Sequence, residues 1–346
     1  MLPKLLLTLG DPAGIGPEVT VKALCHPETR EGCVPVVIGD REPVEKAMAL
    51  TRSLLKLRVI GDIEAARGDR DALELLDIRA LGGQSYETGK VSALCGEAAF
   101  RYVTKAIELS MAGKAAGVAT APINKEALHL AGHMYSGHTE IFAEYSHTDD
   151  YAMLLMSGNL RVIHVTTHVS MRRACELIRT PRVYRTIVLA SEALKMLGIP
   201  NGKIGVAGLN AHASENGLFG NEEAEAIIPA VGQARADGIN AEGPIPPDTV
   251  FVKAVGGMYD IVVAMYHDQG HIPLKLYGFR MDPATGLFTS MSGINTTIGL
   301  PIIRTSVDHG TAFDRAGKNT ANEMSMVEAI TTAVKMIPYY EAKRHA

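Results

Sequence analysis

Short apolar segments alternate with longer amphipathic stretches along the chain. The apolar segments are rich in Val, Ile, Leu and Ala, which is typical of strands buried on both faces, and they lie at 4–9, 34–38, 117–120, 160–167, 203–208 and 261–266. The longer stretches carry Ala, Leu, Ile and Met at helical spacing, near 96–112, 183–197, 222–236 and 322–337. This alternation predicts βαβ units built on mainly parallel sheets, and therefore an α/β fold.

The length of the chain predicts more than one domain. At 346 residues it exceeds what a single ordinary core fills, and it suits two α/β domains. A predicted strand ends in Ala121-Pro122, and a histidine-rich region follows it. We therefore expect a discontinuous first domain of residues 1–121 plus 300–346, and a second domain of residues 122–299 that carries the histidines.

Composition narrows the possible partners. Hydrophobic residues make up 47% of the chain and charged residues 21%, as in soluble globular proteins, and the net charge of −4 argues against a nucleic-acid partner. An anionic substrate would therefore have to be held by local Lys and Arg side chains. The four cysteines form no CxxC pair, and Leu5-Leu6-Leu7 is too short for a signal peptide or a membrane span. We expect a cytoplasmic protein with reduced thiols and no membrane partner.

Three histidines share one context, because each follows a predicted buried strand. His168 follows the strand in RVIHVTTH, His212 follows KIGVAG, and His267 follows IVVAMY. In open α/β sheets the ligand crevice lies beyond the carboxyl ends of the strands. Three imidazoles at that edge predict a catalytic metal site with three protein ligands, although any one of them alone is better explained as a hydrogen-bonded loop residue. Asp268 would then ligate the ion, orient an imidazole or transfer a proton.

Two other sequence features are less specific. His164 lies within a predicted strand and His271 follows a glycine, so both are interpreted as structural. The segment TLGDPAGIGPEVTVKAL predicts a strand, a Gly/Pro loop and a helix with Pro17 in its first turn. The loop either presents N–H groups to an anion or is a tight turn that needs Gly14 and Gly16 for its conformation.

Several motifs resemble those of the 4-hydroxythreonine-4-phosphate dehydrogenase family, in the same order along essentially the whole chain. They are GDPAGIGPE, SGHTE, TTH, GLNAHASENG, PPDT, AMYHDQGHIPLKLYGF and GLPIIRTSVDHGTAFDRAG. The segments APINKEALHLAGH, NGLFG and GHIPLKL are more similar to the branch that acts on D-threonate and D-erythronate 4-phosphates, whereas the vitamin B6 branch typically has PVHKG, GGHMG and GLPVLK there.

The resemblance implies a homodimer of chains with two α/β/α domains, similar to isocitrate and isopropylmalate dehydrogenases. The active site would lie in the interdomain cleft at the dimer interface, with metal ligands at His168, His212 and His267. By the same resemblance, the substrate would contact a set of five residues, namely His138, Thr139, Lys275, Asn295 and Arg304. The loop of Asp308, His309 and Gly310 is the candidate for part of the NAD site, and Asp268, Lys275 and His138 are the candidate catalytic residues.

The implied reaction is an NAD-dependent oxidation and decarboxylation of a 4-phosphorylated four-carbon hydroxy acid, with Zn, Mg, Mn or Co as the divalent metal. The expected substrate is D-threonate or D-erythronate 4-phosphate, which would yield dihydroxyacetone phosphate and CO2. Two alternative dehydrogenase reactions are the oxidation of 4-hydroxy-L-threonine 4-phosphate and the oxidation of a dihydrodiol carboxylate. Two alternatives from other classes are a metal-dependent hydrolase or lyase that uses no nicotinamide, and a non-catalytic phosphate-binding module.

One segment departs from the family pattern. Between Phe279 and Asn295 the chain reads RMDPATGLFTSMSGI, where the family usually has about four residues. Because Asp282-Pro283 and Gly286 favour turns, we expect a loop rather than an added helix or strand. Its apolar residues, Leu287, Phe288 and Met291, would form a lid or pack on a partner subunit, unless the segment is a surface elaboration without a role.

Overall fold

The chain folds into two compact units. The structure, a computed structural model, describes residues 2–283 and 288–344, and for residues 288–291 it describes the backbone alone. Unit 1 comprises Met1–Asp149 and Leu300–Ala346, and unit 2 comprises Asp150–Gly299. Unit 1 is therefore discontinuous, but its first segment continues well past the boundary expected after Ala121.

The helices and strands are numbered along the chain. The strands are β1 (Lys4–Thr8), β2 (Val34–Gly39), β3 (Lys56–Ile60), β4 (Ala72–Asp77), β5 (Gly117–Thr120), β6 (Ala152–Ser157), β7 (Leu160–His164), β8 (Ile204–Ala207), β9 (Ala241–Ile245), β10 (Ile261–Ala264), β11 (Phe279–Met281), β12 (Phe288–Met291), β13 (Ile294–Ile298) and β14 (Ile303–Val307). The α-helices are α1 (Gly16–Ala23), α2 (Arg41–Thr51), α3 (Ala93–Met111), α4 (Lys125–Leu130), α5 (His138–Tyr145), α6 (Met171–Leu177), α7 (Thr180–Met196), α8 (Ile228–Ala236), α9 (Pro247–Val255), α10 (His267–Gly278) and α11 (Met324–Arg344).

Unit 1 is built on parallel strands in the order β3-β4-β2-β1-β5-β14. The side chains of β2, β5 and β14 are buried along the whole of each strand, which requires helices on both faces of the sheet. α1 packs on α2 and α11, whereas α3 packs on α4 and α5. This second group explains why residues beyond Ala121 belong to unit 1: a Cβ on Gly96 of α3 would lie only 2.0 Å from the carbonyl oxygen of Ala127 in α4, so the two helices are in close contact.

Unit 2 has a mixed sheet with the order β13-β6-β7-β10-β8-β9. The pairs β13/β6 and β6/β7 are antiparallel, and the pairs β7/β10, β10/β8 and β8/β9 are parallel. One face packs on α9 and α10 through a buried cluster that includes Val162, Val262, Phe251 and Leu274. The parallel part of this sheet brings the carboxyl ends of β7, β10 and β8 to one edge.

The extra segment is not simply a loop, so that prediction is wrong. Its flanks form the antiparallel pair β11/β12, with Phe279 opposite Met291 and Arg280 opposite Ser290. Phe279, Phe288 and Thr289 are of residue types enriched in strands, which favours this pairing. Leu287 and the side chains of Phe288 and Met291, on which the lid interpretation depends, lie outside the described residues.

The predicted α/β class with mainly parallel sheets is confirmed. The predicted strand at 117–120 coincides with β5, and the predicted helices at 183–197 and 322–337 overlap α7 and α11. The 222–236 stretch is helical too, but it begins with a π-helical turn at Glu223–Ile227 before α8. The four cysteines are free thiols. No helix among the described residues is long and apolar enough to cross a membrane.

Candidate functional site

The three candidate metal ligands follow neighbouring parallel strands of unit 2, as the sequence indicated. β7 and β8 both pair with β10, so the backbone segments that leave these strands emerge at the same edge of the sheet. His168 lies in the segment after β7, His212 in the segment after β8, and His267 is the first residue of α10 after β10.

His267 and His168 lie close together. Their ring centroids are 5.6 Å apart. The Nδ1 of His267 donates a hydrogen bond of 2.7 Å to Oδ1 of Asp268, which leaves Nε2 as the atom with which His267 can bind a metal. A carboxylate in this position fixes the tautomer of a ligating imidazole and raises its basicity.

His212 lies in an unusual left-handed turn. The residues from His212 to Asn216 have φ values of 52, 54, 63, 45 and 59°, although none of them is glycine. This conformation costs about 1 kcal/mol or more per residue, so tertiary contacts must hold it. The Nδ1 of His212 lies 3.1 Å from Oε2 of Glu215, and this hydrogen bond raises the pKa of His212.

Two buried side chains hold the strand ends from which these histidines emerge. Gln269 accepts a hydrogen bond from the Met265 N–H and donates one to the Gly208 carbonyl, both of 2.7 Å, and so joins the ends of β10 and β8. Glu223, in the π-helical turn, accepts from the backbone N–H groups of Leu209 and Asn210. Neither residue was predicted from the sequence. The position of Gln269 beside His267 and Asp268 in YHDQG was the available signal for one of them.

The donor types fit a divalent metal ion, because imidazole nitrogens with an adjacent carboxylate suit Zn and related metals. The geometry brings only part of the set together: among the described residues, no group of three or more His, Cys, Asp or Glu side chains is placed to hold an ion. His168 and His267 approach each other, and His212 is bonded to Glu215 instead. The His212 side chain is 61% exposed and so has room to adopt another rotamer.

His271 and His164, which the sequence pattern indicated to be structural, extend this cluster into the core. The ring of His271 stacks on that of His267, with centroids 3.6 Å apart, and lies 4.8 Å from that of His164. Burial lowers the pKa of His164 to about 3. Burial, and after it the charge of His267, lowers the pKa of His271 to about 4.

Lys275 and Asn295 complete the predicted residues of unit 2. Lys275 is exposed on α10, and its Nζ lies 5.6 Å from the centroid of the Phe279 ring. Since residues four apart share a helix face, His267, His271 and Lys275 line one side of α10. Asn295 is half-buried in β13, opposite Leu155 of β6.

The predicted substrate residues of unit 1 form a compact group around a buried cation. Arg304 of β14 is 3% exposed, and burial lowers the pKa of its guanidinium to about 10. The guanidinium donates to the hydroxyls of Thr139 at 3.5 Å and Thr120 at 3.4 Å, and it lies over the ring of Phe142.

His138 begins α5 next to this cation. It is 8% exposed, and its Nε2 is buried without a hydrogen-bond partner. Burial, and after it the charge of Arg304, holds the pKa of His138 well below its usual value. A neutral imidazole with one free nitrogen beside a buried guanidinium is suited to a substrate that brings both an anionic group and a hydroxyl.

The candidate cofactor loop follows β14 and lies against the N-terminal Gly/Pro loop. Ile15 N–H donates to the Thr311 carbonyl at 3.0 Å. His309 Nε2 is buried without a hydrogen-bond partner, and a Cβ at Gly310 would meet nothing within 4 Å. The loop therefore offers an unused polar atom and an open backbone, which fit a bound dinucleotide.

The N-terminal loop contains a second feature that the sequence did not reveal. One Asp11 oxygen accepts from Ala13 N–H at 2.9 Å, while its Oδ2 is buried without a hydrogen-bond partner. Burial raises the pKa of Asp11 to about 6. Gly16 is needed for packing, since a Cβ there would lie 2.2 Å from the Leu9 carbonyl oxygen.

Known proteins resemble this chain over nearly its whole length. The family model of the pyridoxal phosphate biosynthetic protein PdxA matches residues 31–333. The D-threonate 4-phosphate dehydrogenase of Cupriavidus necator is 47% identical over 336 residues, which cover 97% of each chain. The protein of the same name from Salmonella typhimurium is 47% identical over 332 residues, 95% of this chain and 98% of the other. The crystal structure of a 4-hydroxythreonine-4-phosphate dehydrogenase from Klebsiella pneumoniae superposes with a TM-score of 0.83 at 44% identity, covering 97% of this chain and 99% of the other.

Proposed function

The chain belongs to the PdxA family, and we propose that it is an NAD-dependent, divalent-metal-dependent dehydrogenase of D-threonate or D-erythronate 4-phosphate. Relatives that carry the name D-threonate 4-phosphate dehydrogenase, at 47% identity over nearly the full length, support a dehydrogenase that acts on a phosphorylated hydroxy acid. The proposed products are dihydroxyacetone phosphate, CO2 and NADH.

The observation that carries the proposal is that Arg304 and the adjacent His138 are both buried, close enough for the charge of Arg304 to act on the imidazole. A guanidinium offers a planar set of N–H donors that suits a carboxylate or phosphate, and in our proposal Arg304 binds the carboxylate or the phosphate of the substrate. The free Nε2 of His138 then makes a hydrogen bond to a substrate hydroxyl, since its lowered pKa keeps the ring neutral near pH 7. Thr139 adds a hydroxyl to the same group, and Lys275 and Asn295 are proposed as further substrate contacts.

The reaction requires an electron acceptor and a means of stabilising negative charge. Oxidation at C3 transfers a hydride to NAD and releases the hydroxyl proton, which leaves a β-keto acid. Loss of CO2 breaks the C1–C2 bond, its electron pair remains on the C2–C3 enolate, and a proton added at C2 completes the product. A divalent ion held by His168, His212 and His267 would supply Lewis acidity for this chemistry.

The remaining roles are assigned to residues of the chain. Asp268 orients His267 through the 2.7 Å hydrogen bond, and the Lys275 ammonium is the proposed proton donor at C2. The loop of Asp308, His309 and Gly310 is proposed to contact NAD.

We also propose that the protein is a homodimer. Large apolar side chains are exposed on α9 and α10, among them Val252 at 72%, Ile272 at 64% and Leu276 at 77%. Exposed apolar surface of this kind is typical of protein interfaces. Analytical ultracentrifugation of Leu276→Glu should show weakened association, whereas Leu54→Glu, at an exposed site in unit 1, should behave as wild type.

A substrate comparison tests the proposed reaction. The purified enzyme with NAD and Mg²⁺, Mn²⁺, Co²⁺ or Zn²⁺ is mixed with D-threonate 4-phosphate, D-erythronate 4-phosphate, 4-hydroxy-L-threonine 4-phosphate or unphosphorylated D-threonate. We expect NADH absorbance with one of the first two acids, dihydroxyacetone phosphate in equal amount, and little NADH with D-threonate. The highest kcat/KM on 4-hydroxy-L-threonine 4-phosphate would instead assign the vitamin B6 reaction. No NADH with any acid under any metal would overturn the proposal.

A further inference from the structure

We propose that His271 is a positioning residue, which together with His164 fixes the imidazole of His267 in the orientation needed to bind a metal ion. The inference rests on the metal site of the proposed function, and it concerns residues to which that function assigns no role.

His271 restrains His267 in two ways. Its ring stacks on the His267 ring with a centroid distance of 3.6 Å and an interplanar angle of 13°. Its Nδ1 also donates a hydrogen bond of 3.0 Å to the backbone carbonyl of His267. Because the two residues are one helical turn apart, the stack and the hydrogen bond together fix the His271 ring against the first turn of α10.

His164 supports His271 from the interior of unit 2. It is 0% exposed in β7, and its ring centroid lies 4.8 Å from that of His271. Its Nδ1 bonds to the Met153 carbonyl at 3.3 Å, and its Nε2 has no hydrogen-bond partner. A buried polar atom without a partner destabilises a core, so packing alone does not favour a histidine at this position over an aliphatic residue.

The backbone of α10 is adapted to this arrangement. A Cβ at Gly270 would lie 2.3 Å from Nε2 of His164 and 2.6 Å from Cγ1 of Val162. Glycine therefore lets the first turns of α10 approach β7, which places His271 between His164 and His267.

As a consequence, both the position and the plane of the His267 ring are fixed before a metal binds. Asp268 holds Nδ1, and His271 covers one face of the ring, so Nε2 is presented with the ring plane already set. Residues that orient a ligating histidine typically contribute 10–100-fold to metal affinity.

Metal titration of the full-length enzyme tests the inference without measuring catalysis. Metal-free wild type is titrated with Co²⁺ while the d–d absorption is recorded, and the Kd for Zn²⁺ is measured by competition with a chelator. His271→Leu removes the ring and the donor, His271→Phe keeps a stacking ring, and His129→Leu replaces an exposed histidine of unit 1 as a control. Circular dichroism checks that each variant is folded.

We expect His271→Leu to weaken Zn²⁺ and Co²⁺ binding by at least about 10-fold and to change the Co²⁺ spectrum. His271→Phe should recover most of the affinity, and His129→Leu should match wild type. Wild-type affinity and spectrum in His271→Leu would overturn the inference, as would His271→Phe binding no better than His271→Leu. Wild type that binds neither metal would overturn it as well. Substrate-dependent NADH formation tests the proposed reaction separately, so an active enzyme with unchanged metal binding in His271→Leu rejects this inference alone.

Discussion

Gln269 is the residue whose replacement most directly tests how the histidine-bearing strand ends are held. In Gln269→Met, the backbone N–H of Met265 and the carbonyl of Gly208 would each lose a hydrogen bond of 2.7 Å in a buried position. Methionine has a similar length, so packing is largely retained. A buried backbone group left without a partner costs about 1–3 kcal/mol, with the lower part of that range applying where the structure relaxes. We therefore expect the free energy of unfolding to fall by about 2–4 kcal/mol.

Unfolding in urea provides the measurement. The chain contains no Trp, so far-ultraviolet circular dichroism is the suitable probe. Gln233→Met, at an exposed position of α8, is the matched control and should change the free energy by less than about 0.5 kcal/mol. If Gln269→Met is as stable as this control, the two hydrogen bonds do not hold the ends of β8 and β10. Weaker Zn²⁺ binding in folded Gln269→Met would connect these strand ends to His212 and His267.

Three further substitutions test the candidate site. Burial raises the pKa of Asp11 from 3.8 to about 6 in the folded state, so the stability that Asp11 contributes is present below about pH 4 and is lost as pH rises through 6. In urea unfolding, the stabilisation of Asp11→Asn over wild type should therefore grow with pH to about 3 kcal/mol by about pH 8. A difference in stability that does not change with pH would contradict the raised pKa. Arg304→Lys keeps the charge but loses the planar fork, so kcat/KM should fall at least about tenfold, and a change within about twofold would argue against a bidentate contact. His212→Ala should weaken Zn²⁺ binding steeply and reduce activity far more than stability, because this side chain is 61% exposed; full activity in chelator-treated buffer would exclude the three-histidine site.

Elements with strong local signals could be predicted from the sequence. β5 matches its predicted bounds, because a short run of apolar residues leads into a proline that cannot continue the ladder. Predicted strand 160–167 is longer than β7, which ends at His164. After His164, the Val165 N–H donates a hydrogen bond to the Ala264 carbonyl, and the Thr166 hydroxyl donates one to the Met265 carbonyl. These partners are about 100 residues away, and no local pattern identifies them.

The extra segment between Phe279 and Asn295 is a second case in which local sequence signals do not determine the structure. Its turn residues were recognised, but whether the flanking residues remain irregular or pair depends on the register between β11 and β12. The division into units depends on another long-range contact, that of Gly96 with Ala127, which attaches α4 to unit 1. The sequence contains the glycine, but it does not say which backbone will approach it.

For the candidate site, the sequence could predict the types of donor but not the distances between them. Each histidine was placed after its strand from a local pattern, whereas the orientation of its side chain is not contained in that pattern. Five consecutive non-glycine residues with positive φ, from His212 to Asn216, have no simple sequence signature apart from the Asn216-Gly217 pair at their end. His267, by contrast, is oriented by Asp268 and His271 within its own helix. In the proposed metal site, the contacts that orient His267 therefore lie mainly within its own helix, with His164 of β7 supporting His271. His212, by contrast, is bonded to Glu215 in a loop whose backbone is held at a conformational cost. Its side chain would have to change rotamer for the three proposed histidine ligands to bind one ion.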